Sequence, residues 1–248
     1  MSLRDKKVVV TGGSRGLGLG LVEALVAHDA KVTVVARDAD ALAAVHARLD
    51  VVVISADVTE EREAYRILSE VNPEVLVLNA GAKPPMGRLD QLNWTDFSVT
   101  WETDVKAGLY WMQAALKTPL KSGSRVLVAS SGAAKDGSPL SGGYAGAKRM
   151  LWLMAKYANG VSLQNKLGIR FQAIVPLQMV GNTGVGDVGV RTIGLGRDEF
   201  LARFGAPMPP REFGEKVVSV LQDPAYADGV VFGLKGDTGI TVIEGAAA

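Results

Sequence analysis

Tyr144 and Lys148 are the pair of residues whose types and spacing point most directly to chemistry. They stand four positions apart in a segment of helical period, so their side chains project from one face, about one turn apart. A free phenol has a pKa of about 10, too high for a base at neutral pH, and a nearby ammonium favours the phenolate. The pair is therefore a candidate general acid and base. The alternative is an ordinary surface pair, since Tyr and Lys are common at this spacing.

A second candidate is the glycine-rich segment 11–18, TGGSRGLG. Glycines allow the positive φ of a tight turn and let backbone N–H groups approach a pyrophosphate, while a helix N-terminus adds unpaired donors and a positive dipole end. A merely flexible turn has a similar composition. The Val-rich run before the segment and the helical period after it favour a site for a nucleotide phosphate.

The elements that must position these residues alternate between short Val/Ile-rich runs and longer segments of helical period, which is typical of βαβ units around a parallel sheet. Strands are predicted at 7–11, 31–36, 51–55, 75–78, 125–130, 170–175 and 229–234. Helices are predicted from 16, over 39–49, from 60, and over 94–117, 143–163, 197–204 and 210–221. The pattern predicts an α/β fold: a Rossmann-type, doubly wound parallel sheet of about seven strands in a single domain, residues 1–248.

Residues 176–196 are rich in Gly and Val and have no clear period. They are predicted to form a loop, and so long a loop in a compact domain is usually functional, often as a lid. Because it follows a predicted strand, we expect a functional loop over about 177–197.

Composition excludes several classes of function. The 27 Lys and Arg nearly balance the 26 Asp and Glu, so we expect neither nucleic-acid nor membrane partners. The absence of cysteine excludes disulfides and thiolate metal sites and fits a cytoplasmic protein. The N-terminus lacks a signal-peptide pattern, and no apolar run reaches the ~20 residues of a spanning helix. His28 and His46 are isolated, so no metal site is expected.

The segment 11–18 has the TGxxxGxG spacing, and the chain resembles the short-chain dehydrogenase/reductase family in this and further motifs, in the expected order along nearly its whole length. Asp57-Val58 is similar to the family's adenine-contacting pair, Asn79-Ala80-Gly81 to its NNAG motif, and Tyr144 with Lys148 to its YxxxK motif. Taken alone, the asparagine motif is more often found simply in turns, because Asn and Gly tolerate left-handed backbone. Asp57 taken alone is equally well explained as the neighbour of a helix N-cap.

The resemblance implies a nicotinamide dinucleotide held by matching positions. The expected cofactor-binding residues are Gly12, Ser14, Arg15, Gly16, Leu17, Gly18, Arg37, Asp57, Val58, Asn79, Ala80, Gly81, Tyr144, Lys148, Pro176 and Thr183. Thr183 is expected at the nicotinamide amide, as threonines of this loop often are in relatives.

The end of the second predicted strand bears on the choice of cofactor. NAD-specific relatives typically place an acid there, and this chain has Ala36 followed by Arg37. A guanidinium donates two parallel hydrogen bonds to a 2′-phosphate, and Arg15 supplies a second cation. The alternatives are that both arginines are ordinary surface residues and that Asp38 serves as the ribose ligand. We expect NADP(H) rather than NAD(H).

The resemblance also implies the catalytic roles. Tyr144 is the general acid in reduction, and Lys148 favours its phenolate and contacts the nicotinamide ribose. Ser131 lies thirteen positions before Tyr144, the family's spacing for the serine that hydrogen-bonds the substrate oxygen. Because side chains alternate in an extended segment, only one of Ser130 and Ser131 faces the site, and the spacing selects Ser131.

Two positions depart from the family pattern. The family's catalytic asparagine aligns with Asp104, which when ionised accepts hydrogen bonds and donates none. If the family's proton relay uses only the helix backbone at this site, Asp104 can replace the asparagine. If the relay needs the asparagine amide N–H₂, proton transfer is compromised. A carboxylate here would also hold Lys148 in its charged form. The second departure is Pro176-Leu177 in place of the usual Pro-Gly.

These observations predict an NADP(H)-dependent oxidoreductase that interconverts a carbonyl and a secondary alcohol of a small molecule by hydride transfer. The alternative is an NADP(H)-binding sensor or regulatory protein with little or no turnover, which the Asp104 departure keeps open. By resemblance the chain is expected to form a homodimer or homotetramer. The sequence does not select a substrate.

Overall fold

Val-rich segments form an eight-stranded sheet in the computed structural model, which describes residues 2–236 and 238–245. The strands are β1 Lys7–Thr11, β2 Lys31–Ala36, β3 Val52–Ser55, β4 Val75–Leu78, β5 Arg125–Ala129, β6 Arg170–Pro176, β7 Gly229–Lys235 and β8 Gly239–Gly245. The sheet order is β3-β2-β1-β4-β5-β6-β7-β8. Strands β1 to β7 are parallel, as predicted, and the described residues form one α/β domain.

Helices connect consecutive parallel strands and cover both faces of the sheet. They are α1 Gly16–Ala27, α2 Ala39–Arg48, α3 Glu61–Val71, α4 Trp94–Thr100, α5 Lys106–Lys117, α6 Ala133–Asp136, α7 Gly143–Gln164, α8 Gly184–Ile193, α9 Arg197–Phe204 and α10 Pro210–Gln222. A π-helical turn, Trp101–Val105, separates α4 from α5, and a 3₁₀ turn, Pro224–Tyr226, precedes β7. No helix within the described ranges is long and apolar enough to cross a membrane.

The strand order reverses between β1 and β4, and this reversal creates the site. Strand β1 pairs with β2 on one side and with β4 on the other, so the chain crosses from one half of the sheet to the other after β3. In open α/β sheets the connections leave such a point in opposite directions, which opens a crevice at the carboxyl ends of the two strands. Both the glycine-rich turn after β1 and the asparagine motif after β4 lie there.

Alternating side chains of β1 pack into two separate hydrophobic cores, one on each face of the sheet. Val9 packs on one face in a cluster with Trp111 of α5 and Trp152 of α7, whereas Val8 and Val10 pack on the other face. The second cluster contains apolar residues of α1, α2 and α10. Every residue of β4 and β5 is buried, because helices cover both sides of the central strands.

The eighth strand was not predicted. Strand β8 pairs antiparallel with β7 and forms one edge of the sheet, so its apolar residues are half-exposed and give a weak periodic signal. It reaches back to α7 through Glu244, whose carboxylate accepts a hydrogen bond from Trp152 Nε1 at 3.0 Å. Glu244 also forms an ion pair with Lys156 of the same helix. The strand therefore supports the outer side of α7.

Two segments differ from their predicted form. The expected loop over 176–196 contains helix α8, which was missed because its glycines lower helix propensity. Thr183 compensates by capping this helix: its hydroxyl accepts from Gly186 N–H at 3.0 Å. The predicted single helix over 94–117 is interrupted by the π-helical turn, an insertion that periodicity does not reveal. The other predicted elements agree with the structure to within one or two residues.

Helices α1 and α10 touch through glycines. A Cβ atom on Gly214 would lie 2.6 Å from the carbonyl oxygen of Gly20, and one on Gly20 would lie 2.3 Å from the carbonyl carbon of Pro210. Real Cβ atoms do not approach backbone so closely, so the two helices could not pack at this distance with larger residues.

Gly214→Ala is expected to lower the free energy of unfolding by about 1–3 kcal/mol, because the added methyl overpacks a backbone contact. The matched control is Gly160→Ala on exposed α7 surface, where a Cβ meets nothing within 4 Å. That variant should gain roughly 0.5–1 kcal/mol from helix propensity. Urea denaturation measures both; equal effects of the two substitutions would contradict the packing argument.

Candidate active site

Glycines in the turn after β1 allow close backbone approach. Gly12 and Gly16 have φ of +68° and +53°, the left-handed region that glycine adopts without strain. A Cβ on Gly12 would lie 2.7 Å from Ala80 Cα, and one on Gly18 would lie 2.2 Å from the carbonyl oxygen of Gly12. Three of the predicted glycines are therefore required by geometry in this turn, which packs directly on the segment after β4.

Thr11 fastens the turn to that segment. Its hydroxyl donates to Val77 O at 3.2 Å and accepts from the N–H groups of Asn79 and Ala80 at 3.0 and 3.2 Å. In return, Asn79 Nδ2 donates to the carbonyl oxygens of Thr11 and Gly12 at 3.1 and 3.2 Å. The asparagine motif thus fixes the shape of the glycine turn. Sequence reasoning did not assign Thr11, although its position at the end of β1 was a usable signal.

The start of α1 fits a dinucleotide pyrophosphate. Arg15 occupies the cap position in extended conformation, and no side chain caps the first turn of the helix. The N–H groups there have no intrahelical partner and carry the positive end of the helix dipole. Ser14 is buried beside them, and Leu17 is half-buried against the apolar core. The cradle therefore offers donors to an anion, as the turn sequence predicted.

The carboxyl ends of β2 and β3 bring Arg37 near Asp57. Arg37 Nη1 lies 3.9 Å from Asp57 Oδ2, and the arginine side chain is largely exposed. Asp57 Oδ1 accepts from Thr59 N–H at 2.9 Å and from Thr59 Oγ1 at 2.8 Å. The pKa of Asp57 is lowered, first by the Thr59 amide and also by Arg37, against an opposing effect of burial. Asp57 is therefore charged beside the predicted adenosine end.

The neighbouring candidates at this end have structural contacts. Asp38, the alternative ribose ligand, caps α2 by accepting from Ala41 N–H at 3.0 Å. Val58 is buried, and its carbonyl oxygen accepts from Trp111 Nε1 at 3.1 Å. Asp38 is thus engaged as a helix cap, whereas the Arg37 guanidinium is largely exposed.

Helix α7 carries Tyr144 and Lys148 at its N-terminal end. Gly142, at φ +52°, turns the chain into the helix, and both side chains are buried, with 6% and 7% of their surfaces exposed. Lys148 Nζ lies 5.7 Å from the centre of the Tyr144 ring. The structure therefore brings the phenol and the ammonium together, as their spacing predicts.

Asp104 sits on the π-helical turn and contacts Lys148. Its Oδ2 lies 2.9 Å from Lys148 Nζ, and its Oδ1 accepts from Ala82 N–H at 2.7 Å. Lys148 Nζ also donates to Ala129 O at 3.5 Å. Burial by itself lowers the pKa of Lys148, but Asp104 and Tyr144 outweigh that effect and raise it. Lys148 is thus held in its charged form, as the sequence predicted for a carboxylate close enough to it.

The two serines after β5 have different surroundings. Ser130 is buried and donates to the carbonyl oxygen of Lys148 at 2.8 Å. Ser131 is half-buried, and its hydroxyl accepts from Ala133 N–H at 3.2 Å. Ser130 is therefore committed to holding α7 against β5, which leaves Ser131 as the serine at the carboxyl edge of the sheet.

The segment after β6 covers the glycine turn. Pro176 O accepts from Gly132 N–H at 2.9 Å, and Leu177 packs against Gly233 of β7. An ideal Cβ on Gly16 would lie 3.6 Å from Thr183 Cα. The Thr183 hydroxyl donates to Val180 O at 2.9 Å in addition to capping α8. Thr183 lies next to the turn, and its contact with a nicotinamide amide stays a prediction.

No metal centre is evident at this site: within residues 2–236 and 238–245, no three His, Asp or Glu side chains cluster as metal ligands. Beside Asp104 lies a cavity of about 10 Å³, lined also by Thr11 and Trp111. That volume is about what one water molecule needs.

The glycine turn at the strand-order reversal is that of a dinucleotide-binding α/β protein. A family model described as short chain dehydrogenase matches residues 6–184. The chain belongs to the short-chain dehydrogenase/reductase family of oxidoreductases, whose members bind nicotinamide dinucleotides.

Several curated relatives carry the same description. A short chain dehydrogenase/reductase of Aspergillus aculeatus, AacuD, is 30% identical over 58% of this chain, and the match spans 54% of that protein. Short-chain dehydrogenase reductase 5 of Arabidopsis thaliana is 25% identical, over 98% of this chain and 96% of its own length. Rat L-fucose dehydrogenase is 29% identical, over 69% of this chain and 65% of its own.

Solved structures show the same fold at lower identity. A short-chain type dehydrogenase/reductase from Mycobacterium ulcerans superposes with a TM-score of 0.83 at 22% identity, covering 95% of this chain and 90% of that one. A short chain dehydrogenase from Bacillus anthracis gives a TM-score of 0.79 at 20% identity, with 95% and 97% covered. Together they confirm the predicted Rossmann-type architecture.

Thr11→Val is expected to lower the free energy of unfolding by about 1–3 kcal/mol, because it leaves the Asn79 and Ala80 N–H groups without their acceptor. It should also weaken binding of a dinucleotide, since the turn loses its anchor. Thr33→Val is the control, a substitution of the same shape on buried β2. Thermal unfolding and fluorescence titration measure the two effects; a Thr11 variant as stable as the Thr33 variant would refute the anchoring role.

Proposed function

We propose that this chain is an NADP(H)-dependent oxidoreductase that interconverts a carbonyl and a secondary alcohol, with Tyr144 as general acid and base. The observation that carries the proposal is the buried Tyr144 and Lys148 pair, 5.7 Å apart from ring centre to Nζ, beside the strand-order reversal. A buried phenol beside a charged ammonium is suited to proton transfer to or from an oxygen at the carboxyl edge of the sheet.

The chain's residues take distinct parts in this reaction. Bound NADPH supplies the hydride for the carbonyl carbon. Tyr144 gives its phenolic proton to the substrate oxygen as negative charge develops there, and Ser131 donates a hydrogen bond to the same oxygen. Lys148 stabilises the phenolate that remains. Oxidation uses the same groups in reverse, with Tyr144 accepting the proton of the alcohol.

Arg37 supports a preference for NADP(H) over NAD(H). It is largely exposed beside the predicted adenosine end, and Asp38, the competing ribose ligand, is engaged as a helix cap. A guanidinium binds a phosphate with two parallel charge-assisted hydrogen bonds. Arg15, at the cap of α1, contributes a second positive charge at the glycine turn.

Residues 1–248 are proposed to act as one NADP(H)-binding unit, with 177–197 as the substrate loop. The position of Thr183 supports this, because its Cα would lie 3.6 Å from a Cβ on Gly16, which places the loop close to the glycine turn. Exposed apolar side chains on α5 and α7, among them Leu109, Tyr157 and Val161, support assembly as a homodimer or homotetramer. Location in the cytoplasm stays a prediction.

Tyr144→Phe is expected to reduce turnover at least 10²-fold while NADPH binding is retained, because the substitution removes only the proton donor. The assay follows NADPH consumption over a panel of small carbonyls that includes the oxidation product of L-fucose, the substrate named for relatives such as the rat enzyme. Tyr157→Phe, at an exposed tyrosine of the same helix, is the control and should leave turnover unchanged. Wild-type protein that binds NADPH yet converts no member of the panel would favour the sensor alternative.

Arg37→Ala is expected to weaken NADPH binding about tenfold and to leave NADH binding nearly unchanged, because only NADPH has the 2′-phosphate. Side-by-side fluorescence titrations with the two cofactors measure this. Arg4→Ala serves as the matched control, since Arg4 precedes β1 at the opposite end of the strands and pairs with Asp29. A wild-type preference for NADH would overturn the assignment.

A further inference from the structure

The ion pair between Asp104 and Lys148 is buried on both sides. The two side chains expose 1% and 8% of their surfaces, and Oδ2 and Nζ are 2.9 Å apart. Water and salt screen such a pair weakly, so the two charges act on their neighbours nearly as a neutral unit. An uncompensated ammonium in the same place would act as a full positive charge.

The geometry fixes this pair in place. Asp104 accepts the Ala82 N–H at 2.7 Å, and a Cβ on Gly81 would lie 2.7 Å from Asp104 Oδ2, so the segment after β4 closes over the carboxylate. Strand β5 holds the other partner through Ala129 O. Asp104 thus connects the floor of the dinucleotide site to the helix that carries Tyr144.

The ring centre of Tyr144 lies 5.7 Å from the Lys148 Nζ of this pair. Within the described residues, the charged and titratable groups that act on Lys148 are Asp104 from the π-helical turn and Tyr144 from α7 itself. The groups of β5 and of the residue after it that touch this part of α7 are the neutral Ala129 carbonyl and Ser130 hydroxyl. Asp104 is therefore the charged side chain placed to offset the Lys148 ammonium beside the Tyr144 ring.

We propose, on the basis of the proposed function, that Asp104 is a positioning residue that offsets the charge of Lys148, so that the phenolate of Tyr144 is favoured less than it would be beside an uncompensated ammonium. The site then favours Tyr144 as the proton donor in carbonyl reduction, and loss of the carboxylate should favour alcohol oxidation at lower pH. In reduction the O–H bond of Tyr144 breaks as its proton moves to the substrate oxygen, a hydride from NADPH forms the new C–H bond, and solvent returns a proton to Tyr144. In oxidation Tyr144 must first have lost its proton in order to accept one.

The first test is a spectrophotometric titration of the protein without cofactor, following the ultraviolet absorbance of phenolate. Subtracting Tyr144→Phe in each background isolates the contribution of Tyr144. Asp104→Asn is expected to move this titration down by about one to two pH units, because an uncompensated Lys148 charge, 5.7 Å from the Tyr144 ring centre, has an effect of that order at an effective dielectric constant of ~20. Glu102→Gln removes an exposed charge from the same turn and should leave the titration unchanged.

The second test is the pH dependence of the enzyme. The pH of half-maximal oxidation should fall in Asp104→Asn by the same one to two units, and the Glu102→Gln profile should match wild type. A titration that shifts in a protein without turnover would uphold the role of Asp104 and refute the proposed function. The role of Asp104 would be refuted by an active protein in which Tyr144 titrates identically with Asp or Asn at position 104. That result would be expected if Lys148 lost its proton in the Asp104→Asn variant.

A double variant covers the case in which Asp104→Asn does not fold. Asp104→Asn with Lys148→Met removes both charges, so Tyr144 should titrate within about half a unit of wild type if the pair acts as a neutral unit. A larger difference in either direction would overturn the proposal.

Discussion

Contacts between the glycine turn and the segment after β4 hold the candidate site together. Thr11 and Asn79 exchange hydrogen bonds across this contact, and Gly12 and Gly18 allow the close backbone approach. The same segment continues to Ala82, whose N–H binds Asp104, and Asp104 contacts Lys148. A single path of short contacts therefore joins the glycine turn to helix α7, so the proposed binding and reacting parts are positioned against each other.

The sequence predicted the parts of the molecule that depend on local pattern. The buried strands could be predicted because strands with helices on both faces, such as β4, are continuous apolar runs such as VLVL. Tyr144 and Lys148 share a helix, so their spacing of four residues was enough to predict that they project in a common direction. Helix α8 was missed because its glycines disfavour a helix that Thr183 and tertiary contacts stabilise. The role of Thr11 depends on partners 66 to 69 positions away, which no local pattern contains.

Asp104 aligns by resemblance with the family's catalytic asparagine, and the structure shows what a carboxylate at this position contacts. An asparagine at this position would leave the Lys148 charge to act on Tyr144 alone, whereas the carboxylate compensates it at 2.9 Å. Burying two charges is costly, and the close geometry and the Ala82 hydrogen bond offset that cost. The carboxylate thus places a second buried charge beside Lys148 and Tyr144.

The edge strand β8 has a consequence for the order in which the protein matures on the ribosome. Its Glu244 is the partner of Trp152 and Lys156, and it is made about ninety residues after them. At synthesis rates of ~5–20 residues per second, the outer face of α7 waits about 5 to 20 seconds for this strand. During that interval a nascent chain exposes an incomplete flank to chaperones.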